Sequence, residues 1–268
     1  MSWLWAALTP HPPIIVPGVG GGREREAAAT LDGVGRLMRG LVSLGRPDRI
    51  LLLSPHQPYA LGAFAVNGSP LIKGGLSMFG APVSFELRTP ASDAKSLADY
   101  LGTRDIPVGM VSSGDLSRDQ GSTVPLYFLR ESFAELPDVV LSSPIGLDLR
   151  QAFALGEALA DFDDGRSWGL AASGDLSHRL KPGAPAGFRP EGQRFDDAVV
   201  KALENADASV LLDMPRKVIE EAGECGLRSV LAMLGMVSRF GGRVEVLSYE
   251  GPYGVGYCCA FSALGSAS

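Results

Sequence analysis

Four stretches constrain the fold of this chain most: "WLWAALTPH" (3–11), "DRILLLSPH" (48–56), "DVVLSSPIG" (138–146) and "SWGLAASGD" (167–175). Each is a short apolar run, ended abruptly by Pro, Gly or Ser. A run of this length without polar alternation reads as a strand buried on both faces. Segments with helical spacing lie between these runs, and strands alternating with helices cover both faces of a sheet. The sequence therefore predicts an α/β fold, with a central mixed, largely parallel β-sheet flanked by helices.

The first helix is expected from about Glu24 to Leu44, where apolar side chains recur at 31, 34, 37, 38, 41 and 42. Further strands are expected at 61–67, 83–88 and 106–112, and helices at 92–101, 123–133 and 148–161. Residues 190–239 read as almost wholly helical, with two closing strands at 243–249 and 255–262. No Pro/Gly/Ser linker or charge block interrupts this pattern, so residues 1–268 are expected to form one domain. Disorder is expected only in the last few residues, "ALGSAS".

Composition narrows the function classes. The 24 basic residues are scattered in a chain of net charge −6, which argues against a nucleic-acid or anionic-membrane partner. No apolar run approaches the roughly 20 residues of a bilayer span. The N-terminal segment has no cationic leader, and three cysteines are an odd number, so free thiols in a cytoplasmic protein are expected. Cys258 and Cys259 alternate along the last strand and read as core fillers. "GVGGGR" (18–23) lacks the Lys-Ser/Thr of a phosphate loop, which excludes a nucleotide site there.

The pentapeptide Ser-Gly-Asp-Leu-Ser occurs twice, at 113–117 and 173–177, each time after an expected strand. The flanks differ, so the repeat reads as turn chemistry used twice rather than as a duplicated unit. Both copies are expected to shape one crevice from neighbouring strands.

The three histidines, His11, His56 and His178, all follow expected strands at the mouths of loops. Beyond the carboxyl ends of parallel strands lies the crevice where α/β sheets bind ligands. Prolines on both sides of His11 (10 and 12) and of His56 (55 and 58) restrict the backbone, as rigid metal ligands require. Two imidazoles need a third donor. Glu224, after Gly223 at the head of an apolar helix, suits a two-histidine, one-carboxylate Fe(II) site, and Cys225 is the rival ligand, favouring zinc or copper. Glu220 and Glu221 read as solvated.

Five segments, "PHPPIIVPGVG" (10–20), "LLLSPHQPY" (51–59), "DQGSTVPLYFL" (119–129), "SGDLSHRL" (173–180) and "GECGLRSVLAMLG" (223–235), together resemble the class III extradiol ring-cleavage dioxygenases. This is the family of the protocatechuate 4,5-dioxygenase β subunit, related to the Memo-like proteins. The resemblance implies Fe(II) on His11, His56 and Glu224, with His178 as the acid–base residue. It implies a catechol-type diol and O2 as substrates and a homodimer, and it raises a small α-type partner subunit. Asp119-Gln120-Gly121 departs from the family's Asp-His-Gly, and Gln120 cannot carry a proton at neutral pH. Gln120, Asp175 and Tyr59 are expected to meet the substrate or support the ligands, Asp175 either orienting His178 or fixing its turn. Arg228 and Tyr253 are weaker candidates for the pocket wall. Two further readings stand beside the dioxygenase: a Memo-like metal- or ligand-binding protein without ring cleavage, with Cys225 as ligand, and a zinc hydrolase.

Overall fold

The computed structural model describes residues 3–265. Its strands are β1 (Trp3–Thr9), β2 (Arg49–Leu53), β3 (Phe64–Asn67), β4 (Leu71–Gly75), β5 (Ser84–Arg88), β6 (Val108–Val111), β7 (Asp138–Ser143), β8 (Trp168–Ser173), β9 (Glu245–Glu250) and β10 (Tyr257–Ala263). Its helices are α1 (Ala28–Leu44), α2 (Ala91–Gly102), α3 (Gln120–Ser132), α4 (Leu149–Ala160), α5 (Pro190–Asn205), α6 (Ser209–Leu212), α7 (Arg216–Ala222) and α8 (Leu227–Phe240).

The four apolar runs form the middle of an eight-stranded sheet of order β6-β3-β7-β2-β8-β1-β10-β9. β7, β2, β8 and β1 are mutually parallel, and β10 runs antiparallel to β1. Because side chains alternate across a strand, each central strand feeds two cores. Trp3, Leu8, Leu51, Leu53, Val140 and Leu170 pack on one face with α2, α4, α5 and α8. Trp5, Ile50, Leu52 and Leu141 pack on the other with α1, α3 and the β4–β5 hairpin. This is the expected single α/β domain.

Three local expectations are corrected. The first helix opens with a 3-10 turn over Arg23–Ala27, and α-helix begins at Ala28. β4 was not expected, because "LIKGG" has exposed Leu71 and Lys73 and two glycines, and it gains its strand character by pairing with β5. The two pentapeptides do not leave neighbouring strands: β3, β7 and β2 separate β6 from β8. β3 turns back antiparallel to β7 and carries β6 beside it, so the first copy leaves the sheet in the direction opposite to the second. Residues 266–268 of the tail expected to be disordered lie outside the described residues. Among the described residues, no helix is long and apolar enough to cross a membrane.

Candidate metal centre

The adjacent parallel strands β2, β8 and β1 end in the loops that carry His56, Asp175 with His178, and His11 respectively. Proline fixes the approach to both outer histidines: Pro13 begins a 3-10 turn directly after His11-Pro12. Close backbone packing then draws the loops together. A Cβ on Gly121 would sit 2.4 Å from Ser54 Oγ, and one on Gly174 would sit 2.3 Å from Gly226 Cα. Only glycine at these positions lets the head of α3 approach the His56 loop, and lets the loop before α8 rest on the end of β8.

The result is a tight cluster. His11 Nε2 and His56 Nε2 are 3.2 Å apart, with the rings nearly perpendicular at 78°. Cys225 Sγ lies 3.7 Å from His11 Nε2 and 3.8 Å from His178 Nε2. Ligand atoms of His11, His56 and Cys225 all fall within 4.8 Å of one another. Gln120 Nε2 stands 3.3 Å from His56 Nε2. All three histidines thus reach one place, as their positions after strands imply.

The supporting bonds explain the orientation. His11 donates its backbone N–H to Asp175 Oδ1 at 2.9 Å, and its Nδ1 meets Ser173 Oγ at 2.9 Å, which leaves Nε2 for the cluster. His56 donates its backbone N–H to Ser54 Oγ at 3.1 Å, and Ser54 Oγ donates to Asp119 Oδ1 at 2.7 Å. Asp119 also accepts from Gln57 Nε2 at 2.5 Å and from Ser122 N and Oγ at 2.8 and 2.6 Å, so one buried carboxylate fastens the His56 loop to the head of α3. His178 donates its backbone N–H to Ala222 O at 3.1 Å.

Burial dominates the electrostatics. It lowers His11 to about 3, with the neighbouring His56 adding to the effect, so His11 is neutral at pH 7 and available as a ligand. Burial also lowers His178 below the usual imidazole value, and it raises Asp175 to about 6 and the Cys225 thiol well above its usual value. The 3.7 Å approach of His11 Nε2 to Asp175 Oδ2 is therefore not an ion pair. A thiol this buried ionises with the help of a cation, and two neutral imidazoles plus a thiol fit a soft or borderline divalent metal.

Glu224 is not part of this convergence. Its carboxylate accepts the Leu227 N–H at 2.7 Å, capping α8, and lines a separate cavity of about 610 Å³ with Asp148, Leu149, Met214 and Arg228. Tyr59 is 62% exposed, and Arg228 donates to Leu147 O at 2.6 Å. Tyr253 and Tyr257 line a cavity of about 540 Å³ with Pro12, Pro13 and Lys181, next to His11 in the chain. Sequence reasoning missed Ser54, Ser173 and the anchoring role of Asp119. The last had a visible signal, an Asp directly before a helix, which is a common cap.

The family model described as the catalytic LigB subunit of aromatic ring-opening dioxygenase matches residues 5–260. Protein CA_C1420 of Clostridium acetobutylicum is 30% identical over 259 residues, covering 93% of this chain and 55% of that protein. The chain thus spans about half the length of this curated relative. A crystal structure of the uncharacterized protein JW3007 from Escherichia coli K12 superposes with a TM-score of 0.64 at 15% identity, over 96% of this chain and 99% of the other, which shows a shared fold.

Proposed function

This chain belongs to the family of catalytic subunits of aromatic ring-opening dioxygenases, the class III extradiol enzymes, and from that premise we propose that it opens a catechol-type ring with O2 at a metal held by His11, His56 and Cys225. The observation that carries this reading is the convergence of those three ligand atoms within 4.8 Å of one another. A metal bound there, Fe(II) in the leading form and zinc or copper in the forms a thiolate favours, would acidify the diol and bring it together with oxygen.

The chain's own residues supply the rest. Asp175 and Ser173 hold His11 at its backbone and at Nδ1. Asp119, through Ser54, holds His56. His178 Nε2, beside Cys225 Sγ, takes a hydroxyl proton from the diol and returns it to the product. The cavity walled by Pro12, Pro13, Tyr253 and Tyr257, which starts one residue after His11 in the chain, offers flat apolar surface for an aromatic ring.

One observation favours a second reading. A thiol rather than a carboxylate stands third in the cluster, and this suits a Memo-like metal-binding protein without ring cleavage. The test is anaerobic loading with Fe(II), followed by oxygen uptake and product absorbance with a panel of catechols. Turnover supports the dioxygenase, and bound metal without turnover on any catechol selects the second reading. Cys225→Ser is expected to lose metal while Glu224→Gln keeps it; the reverse result would restore the carboxylate as third ligand.

A further inference from the structure

We infer that Gln120 is a displaceable fourth donor to the metal, its amide oxygen closing the resting site and yielding its place to the diol. This rests on the metal centre proposed above. Gln120 Nε2 lies 3.3 Å from His56 Nε2, the same atom that stands 3.2 Å from His11 Nε2.

With a metal bound, the lone pair of His56 Nε2 is no longer free to accept from the amide. An NH2 group would then face a cation. A half-turn about the last side-chain torsion exchanges nitrogen and oxygen at little cost, because that torsion is broad and roughly two-fold. The carbonyl oxygen is then the end nearest the metal. A glutamine without its own anchoring would simply swing away.

Gln120 is anchored. It is the first residue of α3, and its neighbour Asp119 accepts hydrogen bonds from Ser54 and Gln57, both in the His56 loop. Gly121, on its other side, packs against Ser54 and His56 with no room for a Cβ. The backbone that carries Gln120 and the loop that carries His56 are therefore fastened together.

The donor count gives the consequence. Were the bound ion six-coordinate, three protein donors would leave three places, enough for two diol oxygens and O2. A fourth protein donor would fill one of these at rest and would have to give it up to the diol. A neutral amide oxygen is weak enough to do so, whereas a carboxylate in its place would hold on.

The test loads the full chain with Co(II) and records ligand-field and thiolate charge-transfer absorption, with affinity from chelator competition, for wild type, Gln120→Ala and Gln120→Glu. Gln120→Ala is expected to shift the ligand-field bands and weaken Co(II) by about tenfold. Gln120→Glu is expected to bind Co(II) more tightly than wild type, and adding a catechol should move the wild-type bands toward those of Gln120→Ala with the same catechol. If Gln120→Ala has the wild-type spectrum and affinity, Gln120 is no ligand and the inference fails while the metal centre stands. If wild type shows no Co(II) binding, or His56→Ala leaves the spectrum unchanged, the metal centre fails and takes this inference with it.

Discussion

Residues 113–117 and 173–177 share one sequence and have opposite surroundings. In the first copy Asp115 is exposed and closes its own turn, accepting from Ser117 N at 2.7 Å and Ser117 Oγ at 2.9 Å. Its backbone joins the small sheet through Lys73. In the second copy every residue from Ser173 to Ser177 is buried, and the same groups reach far along the chain. Asp175 accepts from His11, Ser177 N donates to Asp196, and Ser177 Oγ donates to Ala222 O. The leucine is buried in both. The pentapeptide thus encodes a bend with one apolar anchor, and the surrounding strands decide whether its polar groups close on themselves or assemble a site.

The largest test of that contrast is at the glycines. A Cβ at 174 would lie 2.3 Å from Gly226 Cα, backbone that cannot step aside, whereas at 114 the nearest atom is Leu71 O at 3.2 Å. Gly174→Ala is expected to cost about 3 kcal/mol and to displace the Cys225 loop, with loss of bound metal. Gly114→Ala is expected to cost under about 1 kcal/mol. Urea unfolding of both variants measures the difference, and equal losses would show that the two turns carry the same load.

Next comes the aspartate. Asp175→Ala leaves the buried His11 N–H without its acceptor, and metal affinity should fall by about 10- to 100-fold, the usual range for partners that orient a ligand. Asp115→Ala should leave metal binding at the wild-type level, because the Asp115 carboxylate bonds to Ser117 within its own turn. Titration calorimetry with one metal across both variants reads this out. A comparable loss from Asp115→Ala would mean that the first copy also supports the site.

Much of this was legible in the sequence. Uninterrupted apolar runs gave the central strands, and histidines placed just past three of them met in one crevice. The order of strands was less readable: nothing in "VGMVSSGDLS" says that β6 lies at the far edge, because that follows from β3 reversing against β7. Which of Glu224 and Cys225 stands beside the two histidines was less readable still. Glu224 and Cys225 are neighbours in a loop bounded by Gly223, in a left-handed conformation at φ 62°, and by Gly226, pressed on Gly174. The path of that loop turns the carboxylate to cap α8 and the thiol toward His11. That choice is made by a contact between residues some fifty positions apart, which no local pattern records.

The two copies also predict opposite pH behaviour. Ser177 N–H is held by Asp196, which is fully buried, also accepts from Tyr249 Oη at 2.8 Å, and is raised by burial to about 7. A raised carboxyl pKa means that the folded state favours the proton. Its stabilising contribution is complete below the ordinary value of 3.8 and is lost as pH rises toward 7. Asp115 is shifted the other way by its bonds from Ser117, so its contribution holds above 3.8 and is lost in acid. Asp196→Asn should therefore flatten the decline in stability between pH 4 and 7, whose steepest slope is about 1.4 kcal/mol per pH unit. Asp115→Asn should change only the acid limb, and slightly. Thermal melts across pH 3–8 separate the two.

The smallest effect expected is at the closing serines. Ser177 Oγ donates to Ala222 O at 2.9 Å and accepts from Arg179 N at 3.0 Å, so Ser177→Ala strands the Arg179 amide, leaves Ala222 O with the His178 N–H alone of these two donors, and should cost about 1 kcal/mol. Ser117 Oγ donates to the exposed Asp115, and water replaces it in Ser117→Ala, for a change within about 0.5 kcal/mol. The direction of the Ser177→Ala effect matters more than its size. Ala222 ends α7 and the next residues are Gly223, Glu224 and Cys225, so loosening that carbonyl should relax the thiol as well as the fold. A Ser177→Ala protein with wild-type stability but weakened metal would show that the buried turn acts mainly on the cluster. One with lowered stability and unchanged metal would show that its link to α7 is structural alone.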